Sequence, residues 1–292
     1  MTTSQGFTSE VLTIEHDGPV ATLWLDRPEA RNAMGPPFWD DLPIAMAELS
    51  DERAVRCVVV AAKGPHFSVG LDLKAMAGLL AGGGDPADGA ASAAGDGRNP
   101  ASAGARAFAT RPGILRLQQA ITAVAECPKP VVAAVHGYCI GGGVDLISAC
   151  DIRLASEDAI FSVRETRIAI VADLGSLQRL PRIIGKGHVA ELAYTGKDFA
   201  ASRAKEIGLV NDVLADQDAV VKAAQSLAAE IAANSPLAVQ GTKAVLSACE
   251  DKSVAEGLDY VATWNAGFLP TDDLVEAMAA FMEKRAPRFE GR

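Results

Sequence analysis

Three carboxylates spaced twenty and then eight positions apart, Asp145, Glu165 and Asp173, are the residues best suited to chemistry in this 292-residue chain. They follow a glycine turn, Gly141-Gly142-Gly143, that sits just before a helical pattern. Glycines there let the backbone come close to a ligand, and the first N–H groups of a helix have no intrahelical partner. Such donors, with the positive end of the helix dipole, suit a place where negative charge appears. A side chain at position 142 is expected to hold a ligand away from them. Glu165 and Asp173 lie among Ile160, Phe161, Ile168, Ile170, Val171 and Leu174. Acids in apolar company have raised pKa values, which is how a carboxylate becomes a proton carrier near neutral pH. A plainer reading of the same spacing stays open: Glu165 pairs with Arg164 or Arg167, and Asp173 caps a helix starting near Gly175.

The elements that must position these acids can be read from hydrophobic patterning. PVVAAVHG, from Pro130, is an unbroken β-branched and small apolar run, the pattern of a fully buried strand. VLTIEH and VATLWL alternate around Asp17-Gly18, a hairpin signal. Pro37 to Asp51 reads as an amphipathic helix that turns Phe38, Leu42, Ile44, Met46 and Leu49 inward. VRCVVVAAKG is a short buried strand leading into HFSVGLDL. A helix with Leu115, Leu117, Ile121 and Val124 on its buried side resumes near Ile114. From Asp216 onward the pattern is helical, with Ser235-Pro236 as a cap followed by an N1 proline. Leu274, Met278, Phe281 and Met282 form a stripe on the last helix, ahead of Lys284.

HFSVGLDL (residues 66–73), together with CIGGGVDLISACDIRLAS (residues 139–156), resembles the enoyl-CoA hydratase/isomerase, or crotonase, family. The resemblance covers nearly the whole chain except a stretch after Met76. VADLGSLQRLP, the GGGVD spelling and the segment SVAEGLDYVATWNAGFLPTDDLVEAM are similar to the Δ3,5-Δ2,4-dienoyl-CoA isomerase branch. It implies an α/β fold: a crotonase-like spiral of ββα turns followed by a C-terminal helical trimerisation region. Its implied oxyanion hole is the backbone N–H groups of Leu71 and Gly142. Asp145 and Glu165 fall at the family's two carboxylate positions, and Asp173 at the third acid of the branch. In RPEARNAMGP, Arg27 or Arg31 matches the basic position near the nucleotide part of CoA. FMEKR resembles the terminal motif, in which Phe281 and Lys284 reach CoA, often that of a neighbouring subunit. The implied state is a homotrimer or homohexamer acting on an acyl-CoA thioester, with no separate cofactor because CoA is part of the substrate.

The composition narrows the alternatives. Apolar residues make up 49% and charged residues 22%, an ordinary globular balance, and the net charge of −10 argues against nucleic acid or an anionic membrane as a general partner. Five cysteines without a CxxC pair read as reduced thiols, and four scattered histidines form no metal-ligand pattern. With no apolar leader in MTTSQGFTSE, the expected setting is cytoplasmic. The domain expectation is a spiral core over 1–207 and a helical region over 208–292. Residues 81–107 contain no bulky apolar side chain, so burial cannot offset the entropy of ordering them, and they are expected to form a mobile loop.

Moving double bonds from the 3,5 to the 2,4 positions removes a proton at C2 and adds one at C6. On the resemblance, Glu165 serves C2 as base, Asp173 serves C6 as acid, and Asp145 tunes the pair. The alternative activity is a 2-enoyl-CoA hydratase, in which Asp145 and Glu165 hold a water. A non-catalytic CoA-ester or RNA-binding protein on the same scaffold is the third reading.

Overall fold

The computed structural model describes residues 7–80 and 103–292. Strand β1 (Leu12–Asp17) pairs antiparallel with β2 (Val20–Leu25) across Gly18-Pro19, one position later than the Asp17-Gly18 turn expected from the sequence. Strands β3 (Cys57–Ala62), β4 (Val131–Val135), β6 (Ile152–Ser156) and β9 (Asp212–Leu214) continue the sheet in parallel, in the order β1-β2-β3-β4-β6-β9. Every residue of β3 and β4 is buried, which explains their unbroken apolar spelling: parallel strands covered on both faces have no polar side.

A second, smaller sheet contains β5 (Tyr138–Ile140), β7 (Ile160–Ser162) and β8 (Phe199–Ala200), in the order β5-β7-β8. Its first strand follows β4 almost directly, and its second follows β6 in the same way. Ser68 extends the small sheet through a parallel bridge to Cys139, after β3. Three successive passes of the chain therefore give one strand to the large sheet and then one to the small sheet. That is the ββα spiral.

Helix α1 (Pro36–Asp51) buries Phe38, Trp39, Leu42, Ala45, Met46 and Leu49. Ile44, expected inside, is more than half exposed; Ala45 takes the inward place on the helical period. Residues 81–102 of the expected loop lie outside the described residues. Helix α3 (Ala103–Ala125) follows, so the last residues of the 81–107 segment are helical and Ile114 lies well inside the helix. Leu117, Ile121 and Val124 are buried as expected, whereas Leu115 is exposed.

Helix α8 (Gln217–Ala232) lays Val220, Ala224, Ala228 and Ala232 onto the outer face of the large sheet, against Cys57, Val59, Ala61, Val132 and Ala134. The i, i+4 alanines form a flat strip that brings the helix close to the sheet. Because β9 pairs with β6 and α8 covers the sheet, the division at 207/208 cuts through one packed unit. Helices α9 (Pro236–Cys249), α10 (Val254–Phe268) and α11 (Asp272–Glu283) follow. They leave Leu246, Leu258, Phe268, Val275, Met278 and Met282 exposed, so the Leu274–Met282 stripe is not core within one chain.

A buried lysine helps to fasten this helical arm. Lys243 of α9, 9% exposed, donates from Nζ to Asp151 Oδ2 at 2.7 Å and to the Lys129 carbonyl at 3.1 Å. The same Asp151 oxygen accepts the Val131 N–H at the start of β4.

Candidate active site

The small sheet aims the chain into the site. Gly141 N–H donates to the Ser162 carbonyl, which locks the end of β5 to β7. At Gly141 the backbone has φ +52°, and a Cβ would lie 3.2 Å from Glu165 Oε1. Glycine is therefore needed both for the turn and for the room it leaves the carboxylate. Helix α4 (Gly142–Ser148) starts at once and is buried along its length, placing Asp145 inside at 1% exposure.

Backbone N–H groups without a described acceptor lie beside this turn. Met34 bridges to Leu71 in parallel fashion: the Met34 N–H donates to Gly70 O at 2.8 Å, and the Asp72 N–H donates to Met34 O at 3.0 Å. Those bonds fall on either side of Leu71, whose own N–H donates to no described acceptor. Gly142 N–H, at the first helical position, likewise has none. The two strips touch, because a Cβ on Gly70 would come within 3.2 Å of Gly142 N. Asn32 and Ser68 hold the Leu71 strip. Asn32 Nδ2 donates to the Lys63 and His66 carbonyls, while Ser68 Oγ donates to Asn32 O and accepts from Gly70 N–H. Sequence reasoning missed both residues, since the partners lie more than thirty positions from Asn32.

The glycine turn differs in one respect from expectation. A Cβ on Gly142 would point into the core, 2.9 Å from the sulfur of buried Met34 and 3.8 Å from the Trp39 ring. Gly142→Val should consequently lower both turnover and Tm, with overpacking costing about 1–3 kcal/mol. A variant with full native Tm and lost turnover would restore the expectation that the side chain meets the ligand.

The three acids come together. Burial pushes the Asp145 carboxyl up to about 6, although the Ser176 N–H donates to its Oδ1 at 2.6 Å and opposes the rise. Burial first, then repulsion from Asp145 and Asp173, pushes Glu165 up to about 7. Asp173 is raised by burial as well. The plainer pairings do not form. Arg164 pairs with Asp198, Arg167 donates from Nε to Thr195 O, and Glu165 Oε2 is buried with no partner among the described residues. Helix α5 (Ser176–Ile183) is preceded by Gly175 without a side-chain cap from Asp173. Asp145, not Asp173, holds the N-terminus of α5 from across the fold. The surroundings also differ from expectation: Ile168 and Val171 are exposed, because a single 3₁₀ turn (Glu165–Ile168) and irregular backbone carry this stretch.

None of the three expected CoA contacts has a described interaction with the acids. Arg27 Nη1 is 3.1 Å from Asp72 Oδ2 beside the Leu71 strip, and a third of its side chain is exposed. Phe281 is 82% exposed on α11, and Lys284 ends that helix in the left-handed conformation at φ +54°. Neither has a described interaction with the acids. Among the described residues no group of three His, Cys, Asp or Glu side chains is arranged to hold a metal ion. No described helix is long and apolar enough to cross a membrane.

A spiral of ββα turns with backbone donors beside three neighbouring acids defines the class. The enoyl-CoA hydratase/isomerase family model matches residues 15–86 and 88–292, and the chain belongs to that family, with a crotonase fold. The enoyl-CoA hydratase of Bacillus anthracis superposes with a TM-score of 0.83 at 30% identity, covering 97% of this chain and all of that one. Among curated relatives, the peroxisomal Δ(3,5)-Δ(2,4)-dienoyl-CoA isomerase of Arabidopsis thaliana is 43% identical over 99% of both chains. The mitochondrial enzyme of the same name from Rattus norvegicus is 44% identical over 91% of this chain and 77% of its own.

Proposed function

We propose that the protein is an isomerase converting 3,5-dienoyl-CoA to 2,4-dienoyl-CoA in fatty-acid β-oxidation. The observation that carries this reading is the third acid: Asp173 joins Asp145 and Glu165 in one electrostatically coupled group. The thioester oxygen is received by the N–H groups of Leu71 and Gly142, each such donor lowering the barrier by about 3–4 kcal/mol as negative charge develops on that oxygen. Glu165 takes the C2 proton, the electron pair spreads through the diene to C6, and Asp173 gives C6 a proton. No atom is gained or lost overall. Asp145 stays charged behind the pair, and its repulsion makes Glu165 the stronger base. Proton transfer through these carboxylates needs no cofactor beyond the CoA that the substrate carries.

Arg27 is assigned to the nucleotide end of CoA on its partial exposure beside the Leu71 strip. The exposed apolar face of α9–α11 supports a homotrimer or homohexamer, in which Phe281 and Lys284 reach CoA bound by a neighbouring subunit. Five free cysteines, four of them buried, suit a reducing setting, and we place the protein in the cytoplasm, although the relatives' names are peroxisomal and mitochondrial.

Purified protein assayed in parallel with 3,5-dienoyl-CoA and 2-enoyl-CoA should isomerise the first much faster than it hydrates the second. Hydration without isomerisation would assign the protein as a hydratase.

A further inference from the structure

We infer that Gln118 of α3 is a positioning residue that fixes where Asp173 delivers its proton, a role that rests on the isomerase reading.

Once the C2 proton has left, the negative charge of the dienolate is shared among the thioester oxygen, C2, C4 and C6. Which carbon is protonated then depends on which one the acid lies beside. Asp173 has no regular element to hold it there: residues 170–175 lie between the 3₁₀ turn and α5 and belong to neither. The ends of this stretch are tied to the other two acids. Ile170 N–H donates to Glu165 O at 3.0 Å, and Ser176 N–H donates to Asp145 Oδ1 at 2.6 Å. Between those ends Ala172 and Leu174 are buried in the core, whereas Asp173 is half-buried.

The polar tie in the middle of the stretch is Gln118, whose Nε2 donates to Asp173 O at 2.6 Å. Among the described residues, no other residue hydrogen-bonds the main chain of residues 171–173. Thr122 lies one turn further along α3, on the same face as Gln118. Its Oγ1 accepts from Arg179 Nη2 at 3.2 Å, and Arg179 Nη1 donates to Leu174 O at 3.3 Å. One face of α3 therefore holds two consecutive carbonyls, that of Asp173 directly and that of Leu174 through the arginine. The seam is not packed solid. A cavity of about 390 Å³ borders Gln118, Thr122, Asp173, Gln178 and Arg182. Asp173 thus has room to shift when the tie to Gln118 is cut.

Gln118→Met keeps the length of the side chain and removes the donor. The variant and the native protein are assayed in deuterium oxide with 3,5-dienoyl-CoA, for formation of the 2,4-product and for deuterium uptake at C2. Isomerisation should fall about 10²-fold, the loss that a misplacement of about 1 Å produces. Exchange at C2 and KM should stay near native, because Glu165 and the Leu71 and Gly142 donors are held by other contacts. The ratio of isomerisation to C2 exchange is the deciding quantity, and its fall supports the role. A residue that only held the fold would lower both activities together and leave the ratio native, and that result overturns the inference. If Gln118→Met does not fold, Gln118→Asn, whose amide is too short to reach the carbonyl, decides by the same ratio. If neither folds, Gln118 serves the fold and the inference is overturned. A native protein that isomerises no 3,5-dienoyl-CoA sinks the functional reading and this role with it. A native ratio in an active variant sinks the role alone.

Discussion

Asp173→Asn should abolish 3,5 to 2,4 isomerisation while leaving CoA-ester binding nearly unchanged. Asn matches Asp in size and can hydrogen-bond, but it cannot give a proton to C6 and regain it. The loss should reach or exceed the roughly 10²–10⁴-fold typical of a general acid or base. The backbone at this position should tolerate the change, because its fixed contact is made by the main chain: Gln118 Nε2 donates to the Asp173 carbonyl at 2.6 Å. Exchange of the C2 proton with deuterium should survive, since Glu165 and the Leu71 and Gly142 donors remain. Steady-state isomerisation and C2 exchange measured on the same preparation separate these outcomes. Retained isomerisation would remove Asp173 from the chemistry and favour the hydratase reading.

Glu165→Gln should inactivate the protein and at the same time stabilise it. Loss of the C2 base costs about 10²–10⁴-fold in kcat, and exchange at C2 should go with it, unlike in Asp173→Asn. The stability change follows from linkage. The folded-state carboxyl is raised from the ordinary 4.5 to about 7, so between those values the native state holds a proton that the unfolded chain has released. Stability contributed by this group is therefore full below pH 4.5 and is lost as pH rises through about 7. Gln does not titrate and escapes that loss. At pH 8 the gain should be on the order of 2 kcal/mol, after discounting for the solvent that still reaches the carboxylate. Thermal unfolding at pH 8 and pH 4.5, at one protein concentration, should show a higher Tm for the variant only at pH 8. A Tm difference independent of pH would mean that Glu165 is not held against its charge. For the native protein the same carboxyl predicts kcat/KM falling as pH drops below about 7, because the base is then protonated.

Much of the frame was legible because local signals are strong where they occur. Ser235 caps α9, and the start of that helix at Pro236 follows from it. The buried parallel strands announced themselves by apolar runs. The small sheet did not: Tyr138–Ile140 and Ile160–Ser162 are three residues each, too short to show a period of two. Of the site, the acids and the glycine turn could be singled out, but their partners could not. Asp145 meets Ser176 across thirty-one positions, a contact that no local pattern encodes. That Glu165 Oε2 has no partner among the described residues was equally hidden, because nearby Arg164 and Arg167 are drawn off by Asp198 and Thr195. Ile168 and Val171 are apolar neighbours of the acids in sequence yet turn to solvent, because a 3₁₀ turn and irregular backbone carry this stretch.

The lysine that fastens α9 has a bearing on the order in which the molecule is put together. A cation carried into the interior without its counter-charge costs several kcal/mol, so α9 has no stable seat until Asp151 and the Lys129 carbonyl are in place. Asp151 in turn is oriented by the first amide of β4, the strand that runs toward the glycine turn. The seat of the arm therefore depends on a residue that the sheet itself orients. The position of the arm's exposed apolar face is thus tied to the register of β4. In an oligomer of the kind proposed, a chain whose sheet is unfinished would offer its neighbours no such face.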